Sequence, residues 1–583
     1  MRRTKIVCTI GPATDSFEKM QLLLRAGMDV ARLNFSHGNH EEHGRRIQML
    51  REAAAAEGKN LAIMLDTKGP EIRIGTFSEG RICLHEGDRF VLTTRDVVGS
   101  QEEVLITYKE LPLDVRKDSR ILLADGTIEL CVEEVINGDI VCKVVNGGIL
   151  SDRKGVNVPG IPIRLPAITP HDIADIQFGI QQKVDFIAAS FVSQAGDVLT
   201  IRRILEDLGA DIDIVSKIER YDAVQNLDEI IRVSDGVMVA RGDLGVELQP
   251  EEVPLIQKTI IDKCNKAGKP VITATQMLES MTSNPRPTRA ETSDVANAIF
   301  DGSDAIMLSG ETAAGEYPIE SVQTMARIAT RTESAVKYDE LLIRKGRTAQ
   351  RTVTDSISYA TCQAAEDLGA SAIITATTSG HTARMISKYR PRSPIIAVTP
   401  LEKVVRKLSL VWGVTPLRVD SMDNTDEMIE TAVNGALATH LVKPGDLVII
   451  TAGVPLGITG STNLLKVHTV GSVIVRGTGI GTGSVTAKVR IVKKLTNALE
   501  DFQTGEILVV NATDREFIPL IEKAAAVITE EGGLTSHGAI VCLNLGIPVI
   551  VGVDGATSLL QDGMTVTLDI SRGLVYKGHA TIR

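Results

Sequence analysis

The chain has 583 residues, 43% hydrophobic and 23% charged, too long for one core and composed like a packed globular protein of roughly three or four domains. A net charge of −11, a pI of about 5.6 and an aromatic content of only 3% argue against nucleic acid or an anionic membrane surface as a partner. The seven cysteines (Cys8, Cys83, Cys131, Cys142, Cys264, Cys362, Cys542) follow no zinc or CxxC spacing, and no signal peptide or transmembrane run is evident, so reduced thiols and a cytoplasmic location are expected.

Short apolar strands alternate with helices over residues 1–345, interrupted at 70–167. Strands are predicted at 5–11, 30–36, 61–67, 186–191, 214–219, 236–241, 271–276 and 305–309. One helix runs from Phe17 and stops at Gly27; the next runs from Glu41 through the alanines at 53–56 and stops at Gly58. Eight such units predict an α/β fold, a (β/α)8 TIM barrel built from 1–69 and 168–345, with an open doubly wound sheet as the alternative. Residues 70–167 alternate with period two and carry turn signals at Asp125-Gly126 and Asn137-Gly138, which predicts an inserted all-β lid domain at the catalytic end.

Residues 346–472 return to α/β, with strands at 372–376, 395–398 and 447–451, and 473–583 form a fourth unit. The glycine run 477–483 imitates a dinucleotide loop, but 484–492 alternates like a strand, so a structural turn is expected.

Polar residues gather at the C-terminal strand ends: Asn34, Ser36, Asp66, Thr67, Lys217, Glu219, Asp243, Thr275, Ser309 and Glu311. That is the face where barrel enzymes hold their chemistry. Lys217 and Glu219 point to one side of a buried strand, where charge is costly unless a metal or an anionic ligand uses it. By the same parity Arg32, Asn34 and Ser36 share a side, with Leu33 and Phe35 toward the helices. Glu219 and Asp243 are hard oxygen donors suited to Mg2+ or Mn2+; structural salt bridges are the alternative. Asn34, Ser36, Asp66 and the Thr67 carbonyl offer oxygens with one formal charge, suiting a large monovalent cation or else a hydrogen-bond network. The turn at 240–243 presents backbone N–H groups to an anion. Thr377, Thr378, Ser379, Gly380, His381 and Thr382 follow a strand and open a helix, as a phosphate cradle or as an ordinary cap. GITGSTN, 457–463, is a second loop of that kind.

The motifs MDVARLNFSHG (28–38), MLDTKGPEIR (64–73), SKIER (216–220), MVARGDLGVE (238–247), ITATQMLESM (272–281) and MLSGETAAGEYP (307–318) together resemble the pyruvate kinase family over about residues 1–472. The resemblance implies transfer of a phosphoryl group from phosphoenolpyruvate to ADP, giving pyruvate and ATP. It implies Mg2+ on Glu219 and Asp243, K+ on Asn34, Ser36, Asp66 and Thr67, and Lys217 neutralising the phosphoryl group and the enolate. Glu71 stands where K+-requiring members carry Glu. Gly242 and Asp243 would hold the substrate carboxylate, Thr275 the substrate methylene and its proton path through a water, and Arg32 the transferring phosphate. Asn34, His37, Arg73 and, on the lid, Asp125 would lie near nucleotide phosphates. Ser309 and Glu311 would support the site. His171, in LPAITPHD (165–172), replaces the family's commoner Lys and carries no assigned role. The family also implies a phosphorylated allosteric effector at 377–382 and a homotetramer.

The tail segment EGGLTSHGAIVCLNLGIPVIVG (531–552) resembles the phosphohistidine domain, a swivelling-type domain, of PEP-utilising enzymes, with His537 at the phosphate-carrying position. Gly538, Cys542 and Leu543 depart from that pattern, and no ATP-grasp partner domain is recognisable, so a structural or regulatory tail is expected. A PEP phosphotransferase working through phospho-His537 and a non-catalytic metabolite sensor are the alternatives. The sensor reading predicts loss at Lys217, Glu219, Asp243 or Thr275, and all four are present.

Overall fold

The computed structural model describes residues 2–161, 163–164, 166, 168–347, 352–421, 424–454, 462–471, 473–493 and 501–580. Eight parallel strands close into a barrel in sequence order: Lys5–Thr9, Val30–Asn34, Ala62–Asp66, Phe186–Ala189, Asp213–Ile218, Gly236–Ala240, Val271–Ala274 and Ala305–Leu308. The first strand pairs with the last in the register Lys5↔Ala305, which excludes the open sheet.

Alternation explains the two cores. Val7, Val30, Met64, Phe186, Val215, Met238, Ile272 and Met307 fill the bore, while Ile6, Ala31, Leu65, Ile187, Ile214 and Val239 pack against the helices. The helices start and stop where their caps dictate. Ser16 accepts from the Lys19 N–H to open Phe17–Ala26, and Gly27, at φ 125, ends it. Asn39 caps His40–Ala56 in the same way.

The lid interrupts the barrel after its third strand. Its six-stranded sheet turns at Asp125-Gly126 (φ 55 and 82) and Asn137-Gly138 (φ 53 and 88), the conformations those residue pairs favour. Phe90, Leu92, Ile121, Leu130, Val132 and Ile140 make its core. One short helix, Leu111–Asp114, departs from the all-β expectation. The lid's two legs meet at Asp172, whose carboxylate accepts from the N–H groups of Gly69 and Thr169, each at 2.9 Å.

Residues 1–348 and 401–416 form one compact unit. Leu410 closes the floor of the bore, and Arg406 and Lys407 bond Asp185 (2.7 Å) and Asp213 (2.6 Å).

The second unit holds 349–400 and 417–583. In it Ala372–Ala376 lies between Ile395–Thr399 and Leu447–Ala452, with Leu464–Thr469 antiparallel on the far side of the latter. The tail carries a further eight-stranded sheet. The glycine run is not simply a turn: Thr478–Ile480 is a strand paired antiparallel with Val549–Val551. A Cβ on Gly479 would overlap the Ile570 carbonyl, so glycine there permits close strand packing rather than phosphate binding. Ser484–Ile491 is a strand, as its alternation predicts. Of the loop at 457–463, only Thr462 and Asn463 fall within the described residues.

Candidate active site

Strand parity delivers the fifth strand's charges to the top of the bore. Val215 faces inward, so Lys217 does too, and Glu219 follows by the same alternation. Lys217 Nζ lies 2.8 Å from Glu219 Oε1, 2.8 Å from Ser190 Oγ and 3.1 Å from Asp66 Oδ1. An ammonium has three N–H donors, and here each has an acceptor. Burial works against the lysine's charge, but Asp66 and Glu219 more than offset it and hold the ammonium above its usual range. Burial pushes the Asp66 carboxyl up, while Arg32 and Lys217 together outweigh that and hold it below the ordinary carboxylate range. Glu219 Oε2 accepts from the Phe191 N–H at 2.7 Å.

The second and third strands pair Asn34 with Asp66 in register. Arg32 donates from Nε to Asp66 Oδ2 (2.6 Å) and from Nη1 to Thr9 Oγ1 (3.0 Å). The Asn34 Oδ1 accepts from the Ser36 N–H at 3.1 Å, and the Thr67 carbonyl accepts from Ser190 Oγ at 2.6 Å. Asn34, Ser36, Asp66 and Thr67 are thus oxygen donors at neighbouring strand ends with one formal charge, a set that fits a weakly hydrated monovalent cation.

Asp243 sits in the short helix Arg241–Glu247 directly after the sixth strand. Its carboxyl is pushed up to about 7 by the protein packed around it and then by the Glu219 carboxylate. The residue remains open to solvent on one side. Both carboxylates line a cleft of about 200 Å³, with Glu71, Arg73, Asp125 and Asn157 on its lid side. Two repelling hard donors in one cleft fit Mg2+, which takes one or two carboxylates and completes its shell with other oxygens. Among the described residues no group of three His, Cys, Asp or Glu could hold a metal, so oxygens from elsewhere would complete that shell.

Thr275 and Gln276 follow the seventh strand at φ 63 and 53. The Thr275 hydroxyl donates to the Ala274 carbonyl (2.7 Å) and accepts from the Gly242 N–H (2.9 Å). The Gly242 amide, expected to be free for an anion, is therefore bonded to Thr275. Arg241 holds this turn: Nη2 donates to the Thr275 and Gln276 carbonyls at 2.6 and 3.0 Å, and Nη1 pairs with Asp294 at 2.6 Å.

The lid-side residues are spread more widely. Arg73 pairs with Glu71 (2.7 Å) and donates to the Arg153 carbonyl (2.8 Å). His37 is exposed, and its carbonyl lies 2.8 Å from His43 Nε2. Asp125 is exposed at a hairpin tip on the cleft wall. His171 lies 3.5 Å from Asp175, which His40 also approaches, at 2.7 Å. Glu311 accepts from the Leu278 and Ser309 N–H groups and joins two strand-end loops.

In the second unit, the Gly380 N–H donates to Thr377 Oγ1 (3.0 Å), with Gly380 at φ 78. Thr382 is buried and its hydroxyl lies 2.9 Å from that of Thr462. Thr378, Ser379 and His381 are at least partly exposed, and burial, then Arg384 and Lys388, push the His381 imidazole down. His537 opens the helix His537–Leu545, with Nδ1 3.3 Å from Thr513 Oγ1. Cys542 is buried and Leu543 exposed.

Two residues escaped the sequence reading. Ser190 directly follows the fourth strand, which like the first contributed no candidate. Arg241 was read only as part of a backbone turn, and nothing in its spacing announces that its side chain folds back onto the next loop.

Fold and site together define a lidded barrel enzyme built to hold an anionic substrate among cations. Profiles of the pyruvate kinase barrel domain, the pyruvate kinase alpha/beta domain and the mobile domain of PEP-utilising enzymes match residues 1–322, 355–468 and 502–573. Pyruvate kinases of Geobacillus stearothermophilus and Bacillus licheniformis are 56% and 55% identical over 584 and 586 residues, covering 100% of this chain and of each relative. A crystal structure of a pyruvate kinase from Cryptosporidium parvum superposes with a TM-score of 0.77 at 42% identity, over 80% of this chain and 96% of that one. The chain belongs to the pyruvate kinase family.

Proposed function

We propose that the chain transfers the phosphoryl group of phosphoenolpyruvate to ADP, yielding pyruvate and ATP, and that the barrel-top cleft is where it does so. The observation that carries this reading is the Lys217 ammonium, buried and bonded to Asp66, Ser190 and Glu219 beside a carboxylate-lined cleft. A fixed cation in a low-dielectric site stabilises charge that develops on a phosphoryl group or enolate. Arg32, held by Asp66 and Thr9, adds a second fixed cation for the transferring phosphate. Glu219 and Asp243 would hold Mg2+ or Mn2+, and Asn34, Ser36, Asp66 and Thr67 would hold K+. When bound, these ions supply positive charge to the phosphoryl oxygens. Thr275, locked by Gly242 and Arg241, would pass a proton to the enolate carbon through a water. Arg73, His37 and Asn34 serve the nucleotide as the lid carries Arg73 and Asp125 over the cleft.

Thr377, Thr378, Ser379, Gly380, His381 and Thr382 form the cradle for a phosphorylated allosteric effector, since the loop joins a strand to a helix start and carries hydroxyls partly open to solvent. The assembly is a homotetramer and works in the cytoplasm. Among the described residues no helix is long and apolar enough to cross a membrane. Neither alternative is favoured: His537 lacks the family's following residues, and the charged barrel site of a catalyst is intact.

The test is pyruvate formation from phosphoenolpyruvate and ADP with Mg2+, with and without K+, in wild type and Glu71→Lys. Wild type is expected to require K+ and Glu71→Lys to work without it. A wild type silent with both cations and effector phosphates present would refute the reading; Glu71→Lys inactive, or still dependent on K+, would refute the K+ assignment.

A further inference from the structure

We propose that Ser190 is a positioning residue for this reaction, whose hydroxyl fixes Lys217 and the Thr67 carbonyl relative to one another. The inference rests on the functional reading above and adds to it a residue that reading does not use.

The fourth strand, Phe186–Ala189, ends immediately before Ser190, which is 5% exposed. Its Oγ lies 2.6 Å from the Thr67 carbonyl, 2.8 Å from Lys217 Nζ and 3.2 Å from Asp66 Oδ1. A hydroxyl has one proton and two lone pairs, a carbonyl only accepts, and an ammonium only donates. The directions follow: Lys217 donates to Ser190, and Ser190 donates to Thr67. A second bond, from the Ser190 N–H to Thr67 Oγ1 at 3.2 Å, ties the same two residues.

The next residue completes the corner. Phe191 holds φ 56, in the left-handed region that is strained for a non-glycine residue. That conformation aims its N–H at Glu219 Oε2, 2.7 Å away. One corner of chain therefore grips Lys217 through a side chain and Glu219 through a backbone amide. Gly69, on the lid's outgoing leg at φ 72, lies against it: a Cβ there would come within 2.6 Å of the Phe191 ring and 3.0 Å of Ser190 Cβ. Strained backbone persists where its surroundings over-determine it, and here they consist of the lysine, two carboxylates, a carbonyl and the lid leg.

Removing the hydroxyl leaves a Lys217 N–H and the Thr67 carbonyl without this bond in a buried place. The ammonium is then drawn toward Asp66 or Glu219. Misplacement of a reacting group by about 1 Å costs up to roughly 100-fold in rate, and loss of an outer partner of a charged site roughly 10–100-fold.

The test compares wild type with Ser190→Ala, Ser190→Cys and Ser190→Thr in the full chain. Initial rates give kcat and KM for phosphoenolpyruvate, and thermal shift titrated with KCl, without substrates, gives the K+ midpoint. The expectation for Ser190→Ala is a kcat lower by roughly 10–100-fold, with KM changed by less than about threefold, as for an interaction realised mainly in the transition state. The K+ midpoint should rise because the Thr67 carbonyl is released. Ser190→Cys, nearly isosteric but a weak donor, should behave like Ser190→Ala. Ser190→Thr should recover most of the rate. A wild-type kcat in Ser190→Ala or Ser190→Cys would overturn the proposal, as would Ser190→Thr no better than Ser190→Ala, since that would assign the effect to volume. If Ser190→Ala fails to fold, the comparison of Ser190→Cys with Ser190→Thr decides. An inactive wild type would instead strike the functional reading itself.

Discussion

At the scale of single residues the site is a problem in keeping charges ionised inside a protein. Lys217 and Asp66 succeed by mutual pairing, and Arg32 adds to the balance. Asp243 does not: its carboxyl is raised from 3.8 to about 7. A raised carboxyl keeps its proton in the folded state after the unfolded chain has released its own. Its stabilising contribution is therefore full below about pH 4 and is lost as pH rises through about 7. In Mg2+-free buffer the melting temperature should fall across that window, and Asp243→Asn should flatten the fall. An equal slope in the variant would remove Asp243 as the cause. Mg2+ binding, followed by calorimetry, should tighten over the same window as the proton leaves. Much at this scale was legible in advance, because a Lys and a Glu at strand spacing in an apolar run have few uses besides chemistry. Ser190 was not, since a serine after two alanines carries no charge and its value lies in three contacts with the ends of the two strands that flank it.

Elements place these residues, and here the sequence pattern was most informative. The barrel strands lie within about two residues of their expected bounds because alternating burial and glycine or helix-cap stops are local signals. Contacts that tie one element to another leave no such trace. Arg241 is the example: its guanidinium supports two consecutive residues at positive φ, Thr275 and Gln276. Arg241→Ala should leave those part-buried carbonyls without the guanidinium and cost on the order of 1–3 kcal/mol, read as a drop in urea midpoint, with activity falling further than stability. Unchanged activity would show that the loop holds itself. The floor of the barrel is a second case. Leu410 is fully buried with the bore residues, so Leu410→Ala should cost about 2–5 kcal/mol by opening a cavity. A loss below about 1 kcal/mol would mean the floor can collapse around it.

Across the whole molecule, two compact units divide the work. The first contains the barrel, the lid and the charged cleft. The second contains the effector-loop candidate and a tail whose resemblance to a phosphate-carrying domain is degraded at Gly538, Cys542 and Leu543. His537 meets a threonine hydroxyl, Thr513, at 3.3 Å. Incubation with phosphoenolpyruvate should leave no acid-labile phosphate on His537, and His537→Ala should form pyruvate at the wild-type rate. Phosphate on that ring would return the tail to chemistry. The tail's membership was readable from its motif, but its glycine run was only half readable. A strand lying against Ile570 and a turn use the same residue type for different reasons.

The most direct test of the central claim, that the Lys217 centre carries phosphoryl transfer, is the rate of pyruvate formation by Lys217→Met at saturating phosphoenolpyruvate, ADP, Mg2+ and K+. Circular dichroism must first show the variant folded. The account predicts a loss of roughly 100–1,000-fold or more, as when a group stabilising developing charge is removed. A folded Lys217→Met that keeps more than about a tenth of the wild-type rate would contradict it.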